Sequence, residues 1–433
     1  MMFVSTRGGT PPVTLSQALR LGAAPGGGLF MPSEIPRHES TRFAAGRPLA
    51  QFAADWLRPF FDGDPLAADL DAICAEAFTF PVPLVAALGG DSSLRALELF
   101  HGPTGAFKDF GARFLLACFD RLAGDEPLTV LAATSGDTGG AVGCAAEGRR
   151  SARAVILYPK DRVSPFQERQ LTCWGDNVAA VEVDGDFDAC QAMVKAAFAD
   201  PRLSASHRLT SANSINLGRL LPQVAYCAHA AFEAAALNTG NRPGFIIPSG
   251  NLGHGFALLL ARAMGAPVGP VVLATNANRT LLDWCQTGRY QPRPSVATLA
   301  NAMDVGNPSN FERVAALGDG AAEVAVELAH DEAIRHRIAA DYRDSGYVWC
   351  PHSAIAAEAW RRLAGPARDE RLWVAAATAH PFKFAEIVEP LIGRALEPSS
   401  ALAAIAGRPT ARQRIAPHLA DLAALLEQQR VAA

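Results

Sequence analysis

The chain has 433 residues, more than one ordinary hydrophobic core accommodates, so two or three domains are expected. Apolar residues make up 49% and charged residues 19%, a soluble globular composition that excludes a low-complexity chain. A net charge of -4 gives no nucleic-acid footprint, and no apolar stretch reaches the roughly 18 uncharged residues of a spanning helix.

The first residues, Met1 to Arg7, lack a charged region followed by a long apolar run, so they do not read as a secretory signal. Residues 1 to about 92 mix Pro and Gly with short helical patterns, for example over 15–21 and 52–61. Gly26-Gly27-Gly28, followed by Leu29, Phe30 and Pro32, reads as a loop, because no strand precedes it and no helix follows. From about residue 93 the pattern alternates. Strands are predicted over 93–98, 128–133, 154–158, 178–183, 245–248, 271–275 and 372–377. Most are continuous apolar runs, as strands covered on both faces require. Helices are predicted over 187–198, 217–236, 256–264 and 354–363. Alternation of this kind predicts an α/β fold of two open, mainly parallel sheets flanked by helices. The expected division is a mostly helical segment over 1–92, a first α/β domain over 93–236 and a second over 237–433. Leu419, Leu422, Leu425 and Leu426 mark a last amphipathic helix that packs or pairs. The eight cysteines are scattered and never form Cys-x-x-Cys, so neither a disulfide framework nor a metal site is legible. They read as small buried hydrophobes of a reducing, cytoplasmic compartment.

Lys108 opens a helical pattern after His101-Gly102-Pro103-Thr104-Gly105-Ala106-Phe107. Phe107, Phe110, Phe114, Cys118 and Leu122 recur at helical spacing as its buried stripe, and Gly111, Ala112 and Leu115 share the face of Lys108. Small neighbours leave room for a ligand. A first-turn lysine faces the positive end of the helix dipole, and partial burial lowers its pKa further, which makes its amine a nucleophile toward carbonyls. The competing reading is a surface lysine whose stem lies along apolar residues.

Ligands of open α/β sheets sit beyond the carboxyl ends of strands. Thr134-Ser135-Gly136-Asp137-Thr138-Gly139-Gly140 is one such strand-to-helix loop. It could offer backbone amides and hydroxyls to an anion, although it is neither a P-loop nor a dinucleotide fingerprint. Pro248-Ser249-Gly250-Asn251-Leu252-Gly253-His254-Gly255 is a second, suited to a phosphate dianion or to a plain tight turn. Thr378-Ala379-His380-Pro381 follows a third strand; there Thr378 could be a cap, and His380 reads as a structural histidine. In Ser211 to Arg219, Asn213, Ser214 and Arg219 could hold a phosphate or carboxylate, or simply cap a helix.

In chain order these segments resemble the threonine synthases, pyridoxal-phosphate enzymes of the tryptophan-synthase-β-like fold (fold type II). The likeness runs from Ser5-Thr6-Arg7-Gly8 through Phe107-Lys108-Asp109, Thr134 to Gly139, Ala212-Asn213-Ser214-Ile215-Asn216 and Pro248-Ser249-Gly250-Asn251. Asn301 to Gly306, Pro351-His352 and Thr378-Ala379-His380-Pro381 continue it. The resemblance implies that Lys108 carries pyridoxal 5'-phosphate as a Schiff base and moves protons. It implies that Gly250, Asn251, Leu252 and Gly253 cradle the cofactor phosphate and that Thr378 bonds the pyridine nitrogen. Ser135, Asp137 and Thr138 would hold the substrate carboxylate and its neighbours. Asn213, Ser214 and Arg219 would hold the phosphate of O-phosphohomoserine. The implied reaction is γ-elimination of phosphate and addition of water at Cβ to give L-threonine, by a monomer or homodimer with no nucleic-acid or membrane partner. Gly105, Gly140 and His254 depart from the family's pattern without removing a named role. The alternative is a phospho-lyase that releases 2-oxobutyrate. A non-catalytic cofactor carrier would be expected to have lost Lys108, and a nucleotide-dependent dehydrogenase lacks its fingerprint.

Overall fold

The structure is a computed structural model that describes residues 1–88, 93–122, 124, 126–238, 240–318 and 323–431. Thirteen strands are found among the described residues. They are β1 (Phe3–Ser5), β2 (Phe30–Pro32), β3 (Leu84–Ala86), β4 (Leu94–Glu98), β5 (Leu128–Ala133), β6 (Ala152–Pro159), β7 (Val178–Val183), β8 (Leu209–Ser211), β9 (Gly244–Pro248), β10 (Val271–Thr275), β11 (Val324–Leu328), β12 (Trp373–Ala377) and β13 (Gln413–Ile415).

The larger sheet has the order β11-β10-β9-β12-β4-β3 and is parallel except for β3. The smaller, β13-β7-β6-β5-β8, is parallel throughout. Strands β5, β9, β10 and β12 are buried along their whole length, which is why their sequences are continuous apolar runs. The pairing crosses the expected division of the chain. β4, just ahead of Lys108, lies beside β12 in the larger sheet, with Leu94 opposite Trp373. β13, from the C-terminal stretch, joins the edge of the smaller sheet, with Ile415 opposite Val183. The sheets therefore do not coincide with the contiguous stretches 93–236 and 237–433. The boundary placed at residue 92 lies outside the described residues.

Local reading missed the short strands. Phe30–Pro32, assigned to the glycine loop, pairs antiparallel with β1. Three residues are too few to show alternation, and all three are buried. The N-terminal helices Leu49–Leu57 and Leu70–Ala77 pack on helices Leu221–Leu237 and Lys108–Leu122. Phe52, with ring centroids 5.6 Å from Trp56 and 5.9 Å from Phe232, centres that contact. The C-terminal helix Leu419–Val431 packs within the chain: Leu422, Leu425 and Leu426 join Leu131, Val155 and Val181 in one buried cluster. Six of the eight free cysteines are buried; Cys144 is half-buried, and Cys285 is exposed rather than buried as expected. No helix of the described residues is long and apolar enough to cross a membrane.

Candidate active site

The helix Lys108–Leu122 is fixed at its start by a local acidic box. Asp109, buried, accepts from Thr104 N–H at 2.9 Å and from Thr104 Oγ1 at 2.6 Å. Gly102 lets this box close, since a Cβ there would fall 2.4 Å from Asp109 Oδ2. Gly105 has φ +65° and lies against His380 and Leu402, so a bulkier residue would be strained.

The segment before Lys108 then pairs with the end of β12. Phe107 N–H donates to Thr378 O at 2.9 Å, His380 N–H donates to Gly105 O at 2.9 Å, and Ala106 bridges Ala379. This brings Thr378 beside Lys108. Thr378 is buried, with its N–H on Ser353 Oγ at 2.9 Å and its hydroxyl 3.4 Å from the same oxygen. His380 Nδ1 accepts from Phe382 N–H at 3.2 Å, the structural role expected of it.

Lys108 is half-buried, with Nζ 4.9 Å from the centroid of the Phe107 ring. Its pKa is pushed down to about 8, first by burial and then by the nearby cations of Arg219 and Lys383, against an opposing pull from Asp137. The face expected to be roomy is packed. A Cβ on Gly111 would fall 2.7 Å from Arg219 Nε, and Leu115 lies against Gly218. Eleven of the helix's fifteen residues are buried, so its buried stripe is wider than the sequence spacing suggested.

In the loop after β5, Thr134 Oγ1 accepts from Gly136 N–H at 3.0 Å and Gly139 N–H at 2.9 Å. Gly136 has φ +135° and leaves no room for a Cβ beside Gln167. Ser135 and Thr138 are half-buried, and their side chains have no hydrogen-bond partner among the described residues. Asp137 is placed differently: its Oδ1 accepts from Lys383 Nζ at 2.8 Å and Gln167 Nε2 at 2.9 Å. Burial raises its pKa, but Lys383, His352 and these bonds hold it below the usual carboxylate value.

In the loop after β9, Leu252 adopts the left-handed conformation (φ +63°) and the helix Gly253–Ala263 follows without a side-chain cap. The first-turn N–H groups therefore remain for an anion. Leu252 can contribute only its backbone, since its side chain is buried in the core. Gly250 meets Met303 so closely that a Cβ would lie 2.8 Å from its Cα. Asn251 Oδ1 accepts from Ser309 N–H at 2.7 Å.

The Asn213 segment joins the end of β5 to the segment around Asn310. Asn213 Nδ2 donates to Ala133 O at 2.7 Å, at the end of β5. Ser214 Oγ accepts from Asn310 Nδ2 at 3.0 Å. Helix capping in this segment falls to Asn216, whose Oδ1 accepts from Gly218 N–H at 3.0 Å. Arg219 is only 2% exposed; its Nη atoms bond Ala212 O and, at 3.4 Å, Lys108 O, while Nε has no partner. Arg219 pairs with no carboxylate among the described residues, and burial pushes its pKa down to about 10. A buried guanidinium beside a lysine, influenced by the Asp109 carboxylate but in direct contact with no carboxylate among the described residues, fits an anionic ligand.

Lys108 is thus brought near Arg219, Asp137 and, through Phe107, Thr378, while Gly253 meets Ser214. Sequence reasoning missed Ser353, Lys383, Asn310 and Arg313, which act through contacts rather than motifs. The one available signal was Lys383, two residues past Pro381 in an otherwise apolar stretch. A nucleophilic lysine, a hydroxyl at a strand end and an uncapped helix start suit pyridoxal phosphate, and together they define a pyridoxal-phosphate-dependent enzyme.

Residues 80–378 match the family described as pyridoxal-phosphate dependent enzyme, and residues 2–78 match the threonine synthase N terminus. Threonine synthase from Haemophilus influenzae is 41% identical over 388 residues, covering 88% of this chain and 89% of the relative. That of Escherichia coli is 39% identical over 422 residues, covering 95% of each. The crystal structure of the Escherichia coli threonine synthase matches with a TM-score of 0.90 and 36% identity, over 99% of this chain and 100% of that one. A pyridoxal-phosphate-bound threonine synthase from Brucella melitensis matches with a TM-score of 0.89 and 33% identity, over 99% of each chain. The chain belongs to the threonine synthase family of pyridoxal-phosphate-dependent enzymes.

Proposed function

We propose that the protein converts O-phospho-L-homoserine and water into L-threonine and inorganic phosphate. The observation that carries this reading is the meeting of two anion-ready segments beside one lysine: a Cβ on Gly253 would lie 3.2 Å from Ser214 Cβ. A reaction on a phosphorylated substrate with a phosphorylated cofactor needs two such sites. When bound, pyridoxal phosphate supplies the electron sink for negative charge developing on the substrate carbons.

The chain's own groups do the rest. Lys108 would hold the cofactor through Nζ, and its amine would move a proton at the substrate's Cα and then at Cβ. Its depressed pKa keeps a useful share of the amine neutral near pH 7 to 8. The amides of Gly250, Asn251, Leu252 and Gly253 would hold the cofactor phosphate, and the Thr378 hydroxyl would bond its pyridine nitrogen. Ser135 and Thr138 hold the substrate carboxylate region, with Asp137 fixing their loop through Lys383 and Gln167. Asn213, Ser214 and Arg219 would hold the substrate phosphate, which gives Arg219 the directly bonded anion that it lacks among the described residues. Eight unpaired cysteines support a reducing, cytoplasmic setting.

Two measurements test this. Borohydride reduction and peptide mapping should place the cofactor adduct on Lys108. Incubation with O-phosphohomoserine should yield L-threonine; predominant 2-oxobutyrate would make the protein a phospho-lyase instead.

A further inference from the structure

The two loops assigned above to two different phosphates share one side chain. Asn310 Nδ2 donates to Ser214 Oγ at 3.0 Å and to Asn251 O at 3.0 Å, and Asn310 N–H reaches the same carbonyl at 3.2 Å. Arg313 settles which way the Asn310 amide points. Its guanidinium can only donate, and Nη1 lies 2.7 Å from Asn310 Oδ1. Arg313 is fully buried and braces the same wall by donating to Ser214 O at 2.9 Å, Ile215 O at 2.7 Å and Phe30 O at 3.1 Å.

These bonds orient donors in both loops. A serine oxygen that accepts from Asn310 keeps its own hydroxyl hydrogen to give to an anion. The carbonyl and N–H of one trans peptide point in opposite directions, so holding Asn251 O toward Asn310 turns Leu252 N–H away from it. The left-handed Leu252 then presents successive N–H groups as an anion-binding turn requires. Both bonds leave the same Asn310 nitrogen, so the link is one of position: an anion that fixes Asn310 and one loop leaves the other loop less to order when its own anion binds.

We propose that Asn310 is a positioning residue that couples the two anion sites, so that phosphate at the Asn213–Ser214–Arg219 site and cofactor at the Gly250–Gly253 loop tighten one another. The coupling rests on the loop assignments of the proposed function. Because binding linkage is reciprocal, either ligand can report it.

The probe is inorganic phosphate added to the holoenzyme, whose cofactor loop is already filled. The rate of cofactor release on dilution should fall about tenfold at saturating phosphate in the natural protein, within the usual range of coupling between sites. In Asn310→Ala that effect should shrink to within about twofold, while Lys108 still takes the borohydride label and KM for the phosphorylated substrate rises more than kcat falls. Should Asn310→Ala fold poorly, Ser214→Ala cuts the same link from its other end, where the side chain is half-buried, and should also abolish the effect at phosphate concentrations shown to saturate that variant. A release rate indifferent to bound phosphate in the natural protein overturns the coupling, as does a full effect in either variant. Failure of phosphate to bind, or an adduct absent from Lys108, overturns the loop assignments and the coupling together.

Discussion

Lys383 Nζ lies 2.8 Å from Asp137 Oδ1, with no exposure of Lys383 and 6% of Asp137. The pair joins the segment after β12, in the larger sheet, to the first turn of the helix after β5, in the smaller one. Lys383 Nζ also donates to Thr104 O at 2.9 Å, so a single ammonium ties both sheets to the start of the Lys108 helix.

Breaking that pair from one side should be severe. Lys383→Met leaves the Asp137 carboxylate buried without its cation and is expected to lower stability by about 3 to 5 kcal/mol. Adding Asp137→Asn should recover part of the loss. Thermal denaturation of the two single variants and the double variant, read as a double-mutant cycle, checks this; purely additive losses would count against a direct coupling.

Cofactor attachment should follow the titration of Lys108. Only the neutral amine attacks an aldehyde, and burial has brought its pKa down to about 8. The second-order rate of attachment to cofactor-free enzyme should therefore rise about tenfold per pH unit below pH 8 and level off above it. Stopped-flow absorbance measures it. A rate still climbing at pH 10 would mean that the amine keeps the ordinary lysine pKa of about 10.4.

The acidic box at the helix start contributes both stability and placement. Thr104→Val removes the 2.6 Å hydroxyl bond to the buried Asp109 carboxylate and is expected to cost about 2 kcal/mol. Urea titration should show a lower midpoint at an unchanged slope. Because Lys108 adjoins Asp109, kcat should fall as well.

Gly111 is the place where the Lys108 helix and Arg219 touch. Gly111→Ala puts a Cβ 2.7 Å from both Arg219 Nε and Arg219 O, so one element has to move, at a cost of about 1 to 3 kcal/mol. The displaced guanidinium should raise KM for the phosphorylated substrate about tenfold. Steady-state kinetics on a variant that still forms the Lys108 adduct separates this from unfolding.

Much of the molecule was legible locally. The limits of β5, β7 and β10 agree with the predicted ranges; β5 and β10 are buried along their whole length, and strands covered on both faces leave a nearly continuous apolar signal. Lys108 and the glycine loops at 134–140 and 250–253 were legible because a strand, a glycine turn and a helix start are contiguous in sequence. Short strands such as β2 and β13 left no such signal. Their pairing partners are distant, and three residues carry no period.

The sequence by itself determined the parts: a lysine at a helix start, two glycine-bearing strand-to-helix turns and a hydroxyl after a strand. Only the tertiary structure decided how these parts meet. The pairing of β4 with β12 carries Lys108 to Thr378. Lys383 reaches Asp137, and Asn310 reaches both Ser214 and Asn251. The physical reason is that a hydrogen bond or buried charge is satisfied by whatever the fold brings within about 3 Å, and such partners need not be near in sequence.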